Sequence, residues 1–284
     1  IVLPKTTGLE EEEVSLEPSA RIVCYTNPVK SPEGAARSDF DFTIDLARRL
    51  ERYGVDTRRY FPWETKQEFN EFLLGDEIDR DLLKRQGWAP FDFELGNFET
   101  VGFRTPSGKI ELWSKTLDSV GVDPLPSYTT PRAEQSSTTD RAEFPLILIT
   151  GAREKTYHHS RYRDQAWARK ISPFPLLQVH PDDARQFALS DGDWVAVETV
   201  GFEGACKLKV DITRETASGT VRTGMGWWLP EAQGPEKGAL DVNVNVALSY
   251  DGPWDPVTGS ADTRGLPCSV TPIPESEIPM REMA

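Results

Sequence analysis

The chain has 284 residues, of which 38% are hydrophobic and 27% charged, and its net charge is −14. That length is ample for one or two domains with a buried core, and the acidic balance argues against general binding to nucleic acid or to an anionic membrane surface. No apolar run approaches the roughly 20 residues of a membrane span, and the opening residues do not resemble a signal peptide.

Ile1-Val2-Leu3-Pro4 reads as the interior of a strand, with no initiator Met, so the sequence is expected to be a piece of a longer chain. Cys24, Cys206 and Cys268 lie far apart with no CxxC pair. Neither a metal or cluster site nor a disulfide framework is therefore expected. Glu10 to Glu13 reads as a solvated acidic turn. Arg21 to Thr26 alternates like a strand, and Asn27-Pro28 ends it. Ser38-Asp39 opens a helix with apolar positions at Phe42, Leu46 and Leu50, and also at Ile44 and Ala47, and Gly54 is the stop. Pro62 to Thr65 begins a second helical region striped by Phe69, Phe72 and Leu73, and a third short helix runs from about Asp79 to Gln86. These aromatics read as core, because a helix in a globular domain must bury one face.

Gly102 to Ser114 reads as a turn on Pro106-Ser107-Gly108 followed by an alternating strand in which Ile110 and Leu112 share a face. A phosphate-binding loop is refused here, since the spacing is not GxxxxGK[ST] and Lys109 leads into a strand. Residues 126–143, rich in Pro, Ser, Thr and Arg, read as a linker. Phe144 to Ile149 is a strongly apolar run that empties into Thr150-Gly151-Ala152-Arg153-Glu154-Lys155-Thr156-Tyr157-His158-His159-Ser160. A buried strand ending in such a loop is suited to polar contacts. Between Thr150 and Lys170, the cations Arg153, Lys155, Arg161, Arg163, Arg169 and Lys170 outnumber Glu154 and Asp164. Guanidinium, hydroxyl and imidazole donors suit phosphate or pyrophosphate. The charges alone leave a solvated helix face as an equal alternative.

Leu176 to His180 is a strand, and His180-Pro181-Asp182-Asp183-Ala184 starts a helix with Pro and two acids in its first turn. Trp194 to Glu198 and Ala205 to Ile212 pair across a hairpin turn at Gly201 to Gly204, and Gly219 to Arg222 adds a short strand. Short strands at close intervals suggest a small closed barrel. Gly224-Met225-Gly226-Trp227-Trp228 has only two glycines and no long helix after it, so it is not a dinucleotide fingerprint. The loop onward to Gly238 is expected either to shape a funnel or to dock its tryptophans on other domains.

An ordered set of these pieces resembles the C-terminal part of the molybdopterin oxidoreductases, the dimethyl sulfoxide reductase family. The set is Gly102 to Leu112, Pro124-Leu125-Pro126, Pro145 to Gly151, His158-His159-Ser160, His180 to Ala184, Asp191-Gly192-Asp193-Trp194-Val195 and Asn243-Val244-Asn245. The resemblance implies a mixed α+β fold, with a C-terminal double-psi β-barrel preceded by a partial α/β region with short helices. Its domains would be residues 1–125 as part of the central α/β region, 126–143 as linker, 144–275 as barrel and 276–284 as tail.

The barrel would bind one of two molybdopterin guanine dinucleotides, whose pyrophosphate would account for the cationic island. Thr150, Gly151 and Arg153 would line the pocket where the first barrel strand ends, and Thr156 belongs to the same set. His158, His159 and Ser160 would meet the pterin or its phosphates, with His158 favoured because adjacent side chains diverge. Asn243 and Asn245, on one side of an extended segment, would read the pterin, although the run after Asn245 is one residue longer than the family's usual Asn-x-Leu-Thr. His180 would be either a helix cap or a ligand contact.

No catalytic or metal-ligating residue is expected here, because the family's iron–sulfur cysteines and molybdenum ligand lie toward the N-terminus. The parent would be a molybdopterin-dependent oxidoreductase using molybdenum or tungsten, an anaerobic dehydrogenase with an iron–sulfur cluster. This piece alone would be apo and inactive. One relative within the family performs hydration instead. The implied partners are the N-terminal remainder of the polypeptide and an iron–sulfur electron-transfer subunit, with no nucleic acid and no direct membrane span. Bacterial cytoplasm and periplasm stay open, since export signals lie outside the piece. The competing reading is a double-psi barrel acting as a protein-interaction or adaptor module without cofactor.

Overall fold

The computed structural model describes residues 3–76, 78–90, 95–125, 127, 138–250, 254–255, 257–261 and 263–279. It divides into two compact units, Ile1–Ile110 and Glu111–Ala284. Positions 126 and 128–137 of the expected linker lie outside the described residues.

In the first unit, strands β1 (Glu13–Glu17), β2 (Ile22–Thr26) and β3 (Trp88–Pro90) form an antiparallel sheet in that order. Val23 and Tyr25 alternate onto the buried face of β2 and meet Leu83 and Ala89. Helix α1 (Asp39–Leu50) starts where expected, because the Ser38 hydroxyl accepts from the Asp41 amide at 3.0 Å and satisfies a donor with no intrahelical partner. A 3-10 turn, Glu51–Tyr53, then carries the chain to Gly54 at φ 80°. Of the two candidate faces, Ile44 and Ala47 are buried while Phe42, Leu46 and Leu50 stay exposed. Helix α2 (Lys66–Leu74) opens with a capping box between Thr65 and Glu68. Its expected stripe is only partly internal. Phe69 packs between Phe40 and Trp63, whereas Phe72 is 64% exposed and Asn70 is the buried residue. Helix α3 (Arg80–Gln86) is capped by Asp79 and supplies Leu83 to the core.

Two expectations in this unit are corrected. The acidic run is not uniformly solvated: Glu10 is 7% exposed, and its carboxylate accepts from the Thr7 amide (2.8 Å), the Thr7 hydroxyl (3.0 Å) and the Glu33 amide (3.0 Å). Lys30 adds an ion pair at 3.3 Å. These donors, led by the Thr7 amide, pull the Glu10 carboxyl down to about 2. The Pro-Ser-Gly turn is present, with the Thr105 hydroxyl donating to the Lys109 carbonyl at 2.6 Å, but no strand follows it. Ile110 and Leu112 are 69% and 82% exposed. Alternation makes a strand only where another edge supplies hydrogen bonds, and no described strand pairs with these residues.

Short helix α4 (Phe98–Val101) closes the first unit; in the second, α5 (Lys115–Ser119) comes first and α6 (Thr138–Glu143) occupies the described end of the expected linker. The remainder is a closed barrel of β4 (Leu146–Ala152), β5 (Leu176–Val179), β6 (Trp194–Thr199), β7 (Ala205–Ile212), β8 (Thr220–Gly224) and β9 (Leu266–Pro272), in the order β4-β8-β5-β7-β6-β9. The pairs β4–β8 and β5–β7 are parallel and the other pairs are antiparallel. This mixed closed barrel is the architecture the double-psi expectation requires. Apolar side chains from every strand fill it: Leu146, Leu148, Leu177, Val195, Val197, Leu208, Val210, Val221 and Cys268 are all at most 2% exposed, and the pattern alternates in β4 to β8. Each such Leu or Val side chain contributes about 1.5–3 kcal/mol by leaving water.

Two thiols share that core, and burial pushes Cys268 up to about 12 and raises Cys206 as well. Both are inert packing residues, as their spacing suggested.

Val195→Asp should therefore destabilise the barrel by about 4 kcal/mol, since it buries a carboxylate with no partner; thermal unfolding followed by circular dichroism measures the loss. For Glu10 the folded-state value lies below the ordinary one, so its stabilisation is present above about pH 4.5 and fades as pH falls toward about 2. Amide exchange at Thr7 and Glu33, corrected for intrinsic rates, should accelerate across that window, and Glu10→Gln should abolish the dependence.

Candidate functional site

Strand direction determines which loops meet. Because β4 and β8 are parallel, with Ala152 opposite Gly224, the segments leaving both strands emerge side by side at one end of the barrel. Strand β9 runs antiparallel to β4 and pairs Leu266 with Leu148, so the residues before β9 reach the same end. There, Thr150, Gly151, Met225, Val244, Asn245, Leu248, Tyr250, Thr263 and Arg264 surround an open hollow of about 110 Å³.

Thr150 is 8% exposed and its hydroxyl donates to the Thr263 carbonyl at 2.6 Å, which ties β4 to the approach of β9. Gly151 has φ 76°, and a Cβ placed there would lie 3.4 Å from the Arg264 guanidinium and 3.7 Å from the Met225 methyl. Glycine is suited to this position on both counts: it tolerates the left-handed conformation and leaves the hollow open beside its backbone. Asn245 is exposed at the rim. It does not lie on an extended segment, as expected, but in a 3-10 turn, Val244–Ala247, capped by Asn243. The Asn243 side-chain Oδ1 accepts from the Asn245 backbone N–H at 3.1 Å, so the Asn243 side chain is used as a cap while that of Asn245 stays at the rim.

The loop leaving β4 carries the other candidates. Arg153 is exposed and forms no ion pair among the described residues, and His158 is exposed on the same loop; neither lines the hollow itself. Thr156 is half-buried, its hydroxyl 3.2 Å from that of Ser172. His159 and Ser160 are exposed, and the chain uses their carbonyls: His159 accepts from Arg163 at 3.3 Å and Ser160 from the Trp228 indole at 2.7 Å. His180 is placed elsewhere. Strand β5 is antiparallel to β8, so its last residues lie at the opposite end of the barrel. There the His180 Nδ1 accepts from the Asp182 amide at 3.2 Å and caps α8 (Pro181–Gln186); the intervening helix α7 is Ala166–Ile171. That helix is fixed in turn by Asp183, whose carboxylate accepts from the Ser218 hydroxyl at 2.7 Å and the Gly219 amide at 2.8 Å.

Sequence reasoning missed the residues that fix the loop. Arg163 was counted as one cation among six, yet it is 1% exposed. Its guanidinium carbon sits 3.8 Å from the Tyr157 ring centroid and 3.7 Å from that of Trp227. Trp227 is fully buried and donates from its indole to the Glu154 carboxylate at 2.6 Å, so it is neither a funnel wall nor a docking aromatic. Burial raises the Glu154 carboxyl, against the opposing pull of Arg163 and the Trp227 indole. Burial likewise lowers Arg163, against the pull of Glu154. The two glycines beside Trp227 permit the contact. A Cβ on Gly226 would lie 2.9 Å from the His159 carbonyl carbon, and one on Gly224 would lie 2.5 Å from Glu154. The available signal was a Gly-x-Gly-Trp-Trp strip directly after a strand parallel to β4.

This barrel end therefore presents an exposed amide at Asn245, the Arg264 guanidinium and accessible backbone at Gly151, and the segment that leaves β4 there carries Arg153, Lys155 and Arg161, all exposed. Such a donor set suits a polar ligand carrying phosphate. No group of acids, histidines and cysteines among the described residues could hold a metal ion.

Comparison with known proteins agrees with that chemistry. Residues 146–267 match the molydopterin dinucleotide binding domain, spanning β4 to the start of β9. Acetylene hydratase of Syntrophotalea acetylenica is 33% identical over 277 residues, covering 93% of this chain and 36% of that protein. Dimethyl sulfoxide reductase DmsA of Escherichia coli (strain K12) is 26% identical over 275 residues, covering 86% of this chain and 33% of that protein. Among solved structures, acetylene hydratase from Pelobacter acetylenicus superposes with a TM-score of 0.78 at 30% identity, covering 95% of this chain and 38% of that one. The second unit thus contains a molybdopterin dinucleotide-binding domain. The chain belongs to the molybdopterin oxidoreductases of the dimethyl sulfoxide reductase family and corresponds to their C-terminal part, spanning about a third of the length of the relatives it matches.

Gly226→Ala should displace the His159–Ser160 backbone, since the new methyl meets main chain rather than a yielding side chain. The Trp228–Ser160 bond should break, with a stability loss of about 1–3 kcal/mol. Denaturant unfolding and the exchange rate of the Trp228 indole proton measure the two effects.

Proposed function

We propose that the barrel holds the dinucleotide of a molybdopterin guanine dinucleotide at the end where β4, β8 and β9 meet. The hollow between Gly151, Asn245 and Arg264 would seat the nucleotide, and Arg153 and His158 would reach its phosphates from the loop above. The observation that carries this reading is Gly151: a left-handed glycine at the mouth of a strand, where a side chain would narrow the hollow from within. Its exposed backbone, the Asn245 amide and the guanidinium of Arg264 are the donor types that pyrophosphate and a purine or pterin edge accept.

When bound, the cofactor would supply two-electron chemistry at a molybdenum or tungsten ion carried by its pterin. This chain's own residues bind and orient the nucleotide arm. This reading assigns the metal site to the rest of the parent protein. The same reading takes the N-terminal remainder of the polypeptide and an iron–sulfur electron-transfer subunit as partners, and takes the isolated piece to be inactive. The names of the relatives span a hydration and a reduction. The contribution common to both would be cofactor placement.

Calorimetric titration of the full chain with GDP tests the reading. Binding is expected, with Arg153→Ala, His158→Ala and Asn245→Ala each weakening it about tenfold, as loss of a hydrogen bond to a charged group does. Absence of heat at millimolar GDP, or equal binding in all three variants, would remove the site assignment.

A further inference from the structure

We infer that Arg163 is the positioning residue of the cofactor loop: its buried guanidinium locks the backbone from His158 to Arg163 onto the Met225–Trp228 strip and so sets where Arg153 and His158 can reach. The inference deepens the cofactor-binding reading and rests on it for the ligand alone. An arginine meant to meet solvent or a surface phosphate would be exposed. Arg163 is instead 1% exposed, packed against Tyr157 and Trp227 at 3.8 and 3.7 Å. One of its terminal nitrogens bridges two chain segments, donating to the carbonyls of His159 (3.3 Å) and Met225 (3.0 Å). The other lies 3.7 Å from Glu154, which also accepts from the Trp227 indole. The group thus links the loop after β4 to the segment after β8 by stacking, hydrogen bonding and charge together.

The loop needs such a clamp. His159 and Tyr162 adopt φ 56° and 70°, a left-handed conformation that non-glycine residues keep only where their surroundings impose it. Lysine cannot replace the group, because a single ammonium neither stacks flat on two rings nor spans two carbonyls in one plane. Arg163 forms no part of the hollow's lining and would touch no ligand there. Its effect on binding passes through the loop backbone.

The test measures amide exchange and GDP titration on the full chain for the wild type, Arg163→Lys and Arg163→Ala. Both variants should lose at least tenfold in exchange protection across residues 158–163 and bind GDP at least tenfold more weakly, while strands β4 to β9 keep theirs. Millimolar guanidinium, refilling the vacated slot, should restore protection and binding to Arg163→Ala; equimolar methylammonium should not. Wild-type behaviour in Arg163→Ala, or rescue by both cations alike, overturns the inference. Should Arg163→Ala unfold the barrel, Glu154→Gln is read instead, because it keeps the Trp227 acceptor and removes only the charge facing Arg163. Loosening confined to 158–163 supports the clamp, and unchanged protection there overturns it. If the wild type binds no GDP, the cofactor reading fails, while the exchange measurements still decide the role of Arg163.

Discussion

Parallel pairing of β4 with β8 is the constraint on which the second unit depends. Antiparallel neighbours would send their following loops to opposite ends of the barrel, and the loop after Ala152 would never meet the strip after Gly224. Parallel alignment puts both at one mouth, and the antiparallel entry of β9 brings Thr263 and Arg264 there as well. Every feature of the site follows from that convergence: the Thr150–Thr263 bond, the glycine beside Arg264, and the stack of Arg163 on Tyr157 and Trp227.

The cations of the segment from Arg153 to Arg169 divide into two kinds although their sequence context is the same. Arg153, Lys155 and Arg161 stand in solvent, where a charge costs little and remains available. Arg163 has been taken out of water, and Arg169 half so, paired with Glu231 at 2.6 Å. Desolvating a guanidinium is tolerable only against strong local compensation; here aromatic faces, two carbonyls and a carboxylate supply it. An acidic chain thus keeps exposed positive charge on the segment that leaves β4 and uses a buried arginine to hold that segment in shape.

Much of the barrel was legible because its strands follow a period of two, and burial obeys it in β6 and β7. Local chemistry was legible too: Ser38, Thr65 and Asp79 cap helices as their side chains dictate. Where the pattern had no partner it misled. Ile110 and Leu112 alternate as a strand would, and α1 offered two apolar faces, of which only that of Ile44 and Ala47 found a core. At the site, residue type was enough to point to the glycine near the end of β4 and the asparagine that line the hollow, but not to the structural parts played by His159 and Ser160. Their side chains drew attention, but the fold uses their carbonyls, and backbone acceptors are invisible in sequence. Arg163 was hidden for the opposite reason. Its charge suggested the surface, and only the three-dimensional meeting of Tyr157 with Trp227 removes it from there.

The seam between β4 and β9 also governs how the barrel can assemble. Thr150 and its carbonyl partner at Thr263 are separated by 113 positions, and β8 intervenes between them in the chain. During synthesis, the apolar Leu146–Ala152 segment emerges long before either neighbour that covers its edges. Ring closure is consequently a late, long-range event, and a nascent chain halted ahead of Leu266 would present an open, greasy strand edge to whatever chaperone or sister chain stood nearest.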